Sequence, residues 1–213
     1  MKGKKLFRKK DSIIMNKKRI FSTIVFCLLL TNIVFVNVNI KSEEVYNNSI
    51  SKKQLHNIIK INGNDDFNAK NGVKKGNGTV EDPYIISDLI IKSFFRPAIS
   101  ISNTDAYATI KNCVIAGNKF LQKGGIAGIY ITNSKNIKIE NTTIKDISAD
   151  FGIALISSSN NTVKNCDFEN NKRGITVNGC PNGYDAFSNN NTITKCNFKN
   201  CIDGVYFCCL PSS

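Results

Sequence analysis

Gly152-Ile153-Ala154-Leu155-Ile156, followed by an Asn-rich stretch and Thr162-Val163-Lys164-Asn165-Cys166-Asp167-Phe168, is a phrase that the chain repeats. Further copies open at Gly128-Ile129-Tyr130-Ile131-Thr132, at Gly174-Ile175-Thr176-Val177-Asn178 and at Gly204-Val205-Tyr206-Phe207. The first two of these run on into Ile137-Lys138-Ile139-Glu140-Asn141-Thr142-Thr143-Ile144 and Thr192-Ile193-Thr194-Lys195-Cys196-Asn197-Phe198. A degenerate earlier copy reads Ala98-Ile99-Ser100-Ile101, then Thr109-Ile110-Lys111-Asn112-Cys113-Val114-Ile115. The lead glycines lie 24, 22 and 30 residues apart. Self-similarity at that period marks a solenoid, and alternation at period two makes its elements short strands. The fold expected is all-β, a parallel solenoid of about five coils.

The alternation assigns the core. Ile99/Ile101, Ile129/Ile131, Ile153/Leu155, Ile175/Val177 and Val205/Phe207 are expected to point inward from the lead strands. Ile110/Ile115, Ile139/Ile144, Val163/Phe168 and Ile193/Phe198 do so from the second segment of each coil. No coil can bury these alone, so stacking supplies the core. Asn112, Asn141 and Asn165 share one repeat position, where a left-handed turn and a side-chain ladder are expected. Cys113, Cys166 and Cys196 share the next, with Thr142 in the intervening coil, and read as small packed residues. The longest coil carries an insertion around residues 181–188, and such insertions usually lie on one face of a solenoid.

These Gly-Ile-x-Ile and Asn-Cys/Thr-x-Ile/Phe coils resemble those of right-handed parallel β-helix repeat proteins. That superfamily includes pectate lyases and polygalacturonases, and the repeats are most similar to its NosD-like branch. Gly76-Asn77-Gly78-Thr79-Val80-Glu81-Asp82-Pro83-Tyr84-Ile85-Ile86 is similar to the segment leading into the first coil of exported members. The resemblance spans about residues 60–208. It implies the fold and leaves the activity open, since one fold hosts many functions.

Charge separates the chain into parts. Residues 1–42 hold ten Lys/Arg against Asp11 alone, a net of +9 out of +13, so the coils carry little excess and a nucleic-acid partner is not expected. A basic stretch from Lys2 to Arg19 before an apolar run from Ile20 to about Val36 has the layout of an export signal, or of a membrane anchor if uncleaved. The expected organisation is signal or anchor over residues 1–42, polar linker over 43–60, solenoid start over 61–95, and repeats over 96–213, with either a short helix near Gln54–Lys60 or a first strand over Ile58-Ile59-Lys60-Ile61 at the boundary. The coils are therefore expected outside the cytoplasmic membrane. Within the start, Asp82-Pro83 leads into a strand over Tyr84–Ile91, with glycines at Gly76 and Gly78 for positive φ.

Chemistry is sparse. The outward lead-strand positions are Tyr130/Thr132, Ala154/Ile156, Thr176/Asn178 and Tyr206/Cys208, without the clustered carboxylates that the enzyme relatives imply. No catalytic residue, metal site or cofactor is expected. Arg173 and Asp203, neighbours on adjacent coils, read either as an acid with a positioning Arg or as a surface ion pair. Tyr130, Thr176, Tyr206 and, in the insertion, Tyr184 are the candidates for contact with polysaccharide or cell-surface glycans. Cys180 and Cys209, one position out of register on neighbouring coils, are the candidate disulfide of an exported chain. The lone histidine, His56, is expected before the coils. Three functions follow: a non-catalytic exported scaffold contacting polysaccharide, a lyase or hydrolase with its catalytic coils missing, or a NosD-like accessory in copper-enzyme maturation. An open strand edge after Phe207 is expected to mark a truncated chain or an end-to-end association of the last coil.

Overall fold

In the computed structural model of the chain, the described residues are 53–117, 127–147, 151–178 and 188–208. The signal segment, most of the insertion, Tyr184, Cys180 and Cys209 lie outside them, and the expectations placed on those residues with them. Each coil contributes one strand to each of three six-stranded sheets. The coil that opens at Phe151 shows the pattern: Phe151–Ile156 lies in the lead sheet, Thr162–Lys164 in the second and Asp167–Glu169 in the third. Among the described residues all pairings between coils are parallel, and the single antiparallel pair joins Val73–Lys75 to Tyr84–Ser87.

The split into three strands, where the repeat pattern suggests two, comes from the asparagine position. Asn112, Asn141 and Asn165 have φ of 54°, 50° and 52°, breaking the second segment at that residue. A short polar side chain that can hydrogen-bond locally tolerates this left-handed conformation best. Asp88 (φ 56°) does the same one coil earlier, so the expected strand over Tyr84–Ile91 is two strands, Tyr84–Ser87 and Leu89–Lys92. In the last coil Lys195 (φ 54°) replaces asparagine. The ladder is present in part: Asn165 Nδ2 donates to Asn141 Oδ1 at 3.3 Å and Asn112 Nδ2 to Asp88 Oδ1 at 3.4 Å.

The solenoid begins with the strand alternative at its boundary, and a further strand precedes it. Gln54–His56 is a strand paired with Leu89–Ile91, and Ile59–Asn62 is the first strand of the lead sheet. Gln54–His56 and Ile59–Asn62 are therefore strands and not linker or helix, and His56 belongs to the coils. The aliphatic pattern explains it, since Ile59 and Ile61 continue the columns above them and are fully buried. Burial overrides the polar composition of the flanking residues. At this end Phe67 stacks on Tyr84, ring centroids 4.6 Å apart, while the antiparallel Val73–Lys75 strand covers the edge of the second sheet. Gly76 (φ 98°) is obligatory in the approach, because a Cβ there would lie 2.0 Å from the Pro83 carbonyl oxygen.

The core is four columns. Ile59, Ile99, Ile129, Ile153 and Ile175 form one, and Ile61, Ile101, Ile131, Leu155 and Val177 form another. Ile86, Ile110, Ile139 and Val163 come from the second sheet, and Ile91, Ile115, Ile144 and Phe168 from the third. All are buried, each stabilising the fold by about 1.5–3 kcal/mol relative to exposure. In the final rung the columns reach solvent: Val205 is half-buried and Phe207 is 68% exposed, with no described strand beyond them. Phe207 keeps the register of the inward column opposite Val177, but as its terminal described member it is not covered.

Candidate functional site

Where the lead sheet ends, the chain turns a corner built the same way in successive coils. Asn103, Asn133 and Ser157 take φ of 54°, 46° and 48°. Asn133 Nδ2 donates to Asn103 Oδ1 and Asn103 Nδ2 to Asn62 Oδ1, each at 2.7 Å, so the corner carries its own asparagine ladder. The next residue, Thr104, Ser134 or Ser158, is buried. The Ser134 hydroxyl accepts the Thr104 amide at 3.3 Å and donates to the Thr132 carbonyl at 2.8 Å. Ser158 repeats this with the Ser134 amide and the Ile156 carbonyl. Backbone bonds from Lys135 N to Thr104 O and from Ser159 N to Ser134 O complete the seam.

The middle residue of each triplet thus satisfies the backbone, and the residues on either side face outward. Together with Asn64 and Asp65 from the N-terminal turn they line an open polar groove of about 700 Å³. It contains Asn103, Asp105, Asn133, Lys135, Ser157 and Ser159. Asn64 Nδ2 donates to Asp105 Oδ1 at 3.0 Å, and Lys135 Nζ lies 3.9 Å from Asp105 Oδ2. The Asn64 hydrogen bond, and then the Lys135 charge, hold the Asp105 carboxyl below its usual value, so it is an ionised acceptor at neutral pH. The groove offers donors and acceptors recurring at the coil spacing of about 4.8 Å. A linear polar chain lying along the solenoid axis could use them in series.

On the lead sheet itself, the glycine column sets what faces out. A Cβ on Gly128, Gly152 or Gly174 would point into the core, against Ile144, Phe168 or Phe198 respectively. The preceding residues therefore emerge on the outer face, where Phe151 pairs with Ala127 and Arg173 with Asp203. Arg173 Nε lies 3.2 Å from Asp203 Oδ2, and its guanidinium stands 4.0 Å above the centre of the Tyr206 ring and 5.6 Å from that of Phe151. The pair is an ion pair with a cation–π contact. Tyr130, Thr176 and Tyr206 do share one column, with Ala154 between the first two. Tyr130 and Tyr206 are half-buried, whereas Ala154 is 0% and Thr176 3% exposed although both lie on the outward side. Among the described residues, Thr176 Oγ1 is the buried side-chain oxygen without a hydrogen-bond partner.

The cysteine column is a third feature. Cys113, Cys166 and Cys196 are free thiols whose sulfurs donate to the carbonyls of Lys111, Lys164 and Thr194, two residues back, at 3.3, 3.3 and 3.5 Å. Thr142 fills the position between the first two, its hydroxyl accepting the Cys113 amide at 3.3 Å and donating to the Glu140 carbonyl at 3.0 Å. Burial pushes the Cys113 thiol up to about 11. Among the described residues no three His, Cys, Asp or Glu side chains cluster as a metal would need.

Sequence reading placed the lead-strand faces and missed the groove. Its signal is present as a polar triplet after three of the lead strands, Asn103-Thr104-Asp105, Asn133-Ser134-Lys135 and Ser157-Ser158-Ser159, with a small hydroxyl residue in the middle of each. No curated protein and no solved structure matches the chain. The family described as right handed beta helix region matches residues 35–211. That span covers most of the sequence and every one of the three parallel sheets, and the chain belongs to the right-handed β-helix family.

Proposed function

We propose that the chain is an exported, non-catalytic β-helix scaffold that contacts polysaccharide along the corner groove. The observation that carries this reading is the groove's composition: outward Asn, Asp, Lys and Ser side chains on successive coils, held in place by a buried hydroxyl seam beneath them. Preorganised hydrogen-bonding groups cost little ordering entropy on binding, which is the main penalty for a polar ligand. Tyr130, on the adjoining sheet face, is half-buried and adds an apolar surface of the kind a sugar ring stacks against. The basic-then-apolar leader supports export, which would bring the groove to extracellular or cell-surface glycans.

The test is a glycan array probed with the purified chain, its Asp65→Ala and Lys135→Ala variants, and a Tyr130→Ala variant. Both groove positions are exposed, so the variants should fold normally. Binding should weaken at least tenfold in both groove variants, equivalent to about 1.4 kcal/mol. Full retention of binding in both would refute the groove, and loss only in the tyrosine variant would move the site to the sheet face. Appearance of new chain ends in the glycan would replace the scaffold reading with an enzymatic one.

A further inference from the structure

Cys166 and Cys196 occupy the same position on adjacent coils. The registers on either side fix this: Lys164 pairs with Thr194, and Asp167 with Asn197. Between them the Asn165 amide donates to the Thr194 carbonyl at 3.1 Å and the Asn197 amide to the Cys166 carbonyl at 2.9 Å. Neighbouring parallel strands lie about 4.8 Å apart, inside the Cα separation of about 4.4–6.8 Å that a disulfide bridges. Cys196 Sγ leans toward the coil of Cys166, 3.8 Å from the Val163 carbonyl oxygen. Cys166 is 0% exposed, Cys196 is half-buried, and both are free. Cys113 has no such neighbour, since Thr142 stands on the next coil.

We propose that Cys166 and Cys196 form a redox modification site, a dithiol that an external disulfide converts into a covalent staple between adjacent coils. The oxidant is a small disulfide such as oxidised glutathione, or a disulfide-transfer protein. The reaction starts at Cys196, the reachable sulfur. Its thiolate attacks one sulfur of the oxidant, forms a mixed disulfide and expels a thiolate. The expelled thiolate takes the Cys166 proton, and the Cys166 sulfur attacks Cys196. The internal bond forms, and the second half of the oxidant leaves as a thiolate that takes up the proton Cys196 had released to solvent. Two protein thiols are oxidised and one external disulfide is reduced to two thiols.

The environments suit that order. The Cys166 thiol beside it holds Cys196 down to about 7, so a thiolate is available at neutral pH. The Cys196 sulfur, and then burial, push Cys166 up, so the inner thiol keeps its proton until its neighbour has reacted. Cys113, buried and raised without a thiol partner, stays inert.

The test uses the full chain, reduced, then exposed to oxidised glutathione near neutral pH, quenched by alkylation and digested with trypsin. Lys172 and Lys195 lie between the two cysteines, so they fall on separate peptides. The expected product is the Cys166–Cys196 linked pair, with glutathione on Cys196 only as a transient. In Cys166→Ser the glutathione should remain on Cys196, and Cys113→Ser should behave as wild type. A stable glutathione adduct on Cys196 in the wild-type chain would overturn the proposal, and so would a dominant link from Cys196 to Cys201 or Cys208. The wild-type result decides even where a variant folds poorly.

Discussion

Gly152→Ala tests whether the repeated glycine is there for close approach between coils. A Cβ at Gly152 would lie 2.6 Å from the carbonyl oxygen of Gly174 on the next coil and 2.9 Å from Cδ1 of Phe168. Ordinary contact begins near 3.4 Å, so relief needs a shift of about 0.8 Å between coils. Phe168 cannot supply it, being fully buried and stacked on Phe198 with centroids 4.9 Å apart. The lead strands Phe151–Ile156 and Arg173–Asn178 would have to separate, stretching their parallel hydrogen bonds. Overpacking of this kind costs about 1–3 kcal/mol, which outweighs the roughly 0.4–1 kcal/mol that Gly→Ala returns by restricting the unfolded chain. The net expectation is a loss of about 1–2 kcal/mol, read as a lower urea midpoint at constant slope. Gly204→Ala is the internal control, because its Cβ would come no closer than 3.3 Å to anything, and it should be neutral within about 0.5 kcal/mol. An unchanged or raised midpoint in Gly152→Ala, or equal losses at both sites, would refute the argument.

Arg173→Ala should cost about 1–1.5 kcal/mol, the sum of a partly exposed ion pair and a cation–π contact, while Asp203→Asn should cost less than about 1 kcal/mol; urea titrations of both and of the double variant check the ranking. Raising the pH should destabilise the fold through Cys113. Its folded pKa is raised, so its contribution is complete below the ordinary thiol value of 9.0 and is lost as pH rises through about 11. Over that window the wild-type chain should lose roughly 2 kcal/mol more than Cys113→Ala, measured as the difference in urea midpoints at the two ends; parallel pH curves would count against it.

What residues declare locally was legible in the sequence. Ile153 and Leu155 alternate with Ala154 and Ile156, and inward against outward is a property of the pleat itself, so the core columns follow from the pattern alone. The asparagines mark turns because few other side chains accept positive φ, and at Asn112, Asn141 and Asn165 they have it. Ile59 and Ile61 were harder to place, since a four-residue strand in polar company shows its role only when the column above it exists.

Tertiary structure decided the rest, because the partners stand 22 or more residues apart and meet only when each coil closes on the one before it. The turns at Asn112, Asn141 and Asn165 make three sheets and not two, and a separate corner after the lead sheet brings Asn103, Asn133 and Lys135 together. Arg173 between Phe151 and Tyr206, the unexpected burial of Thr176 and the alignment of Cys166 with Cys196 depend on the register between coils. A repeat pattern states which way a side chain faces. Which side chain lies beside it, and whether both are covered, is fixed by the length of every coil in between.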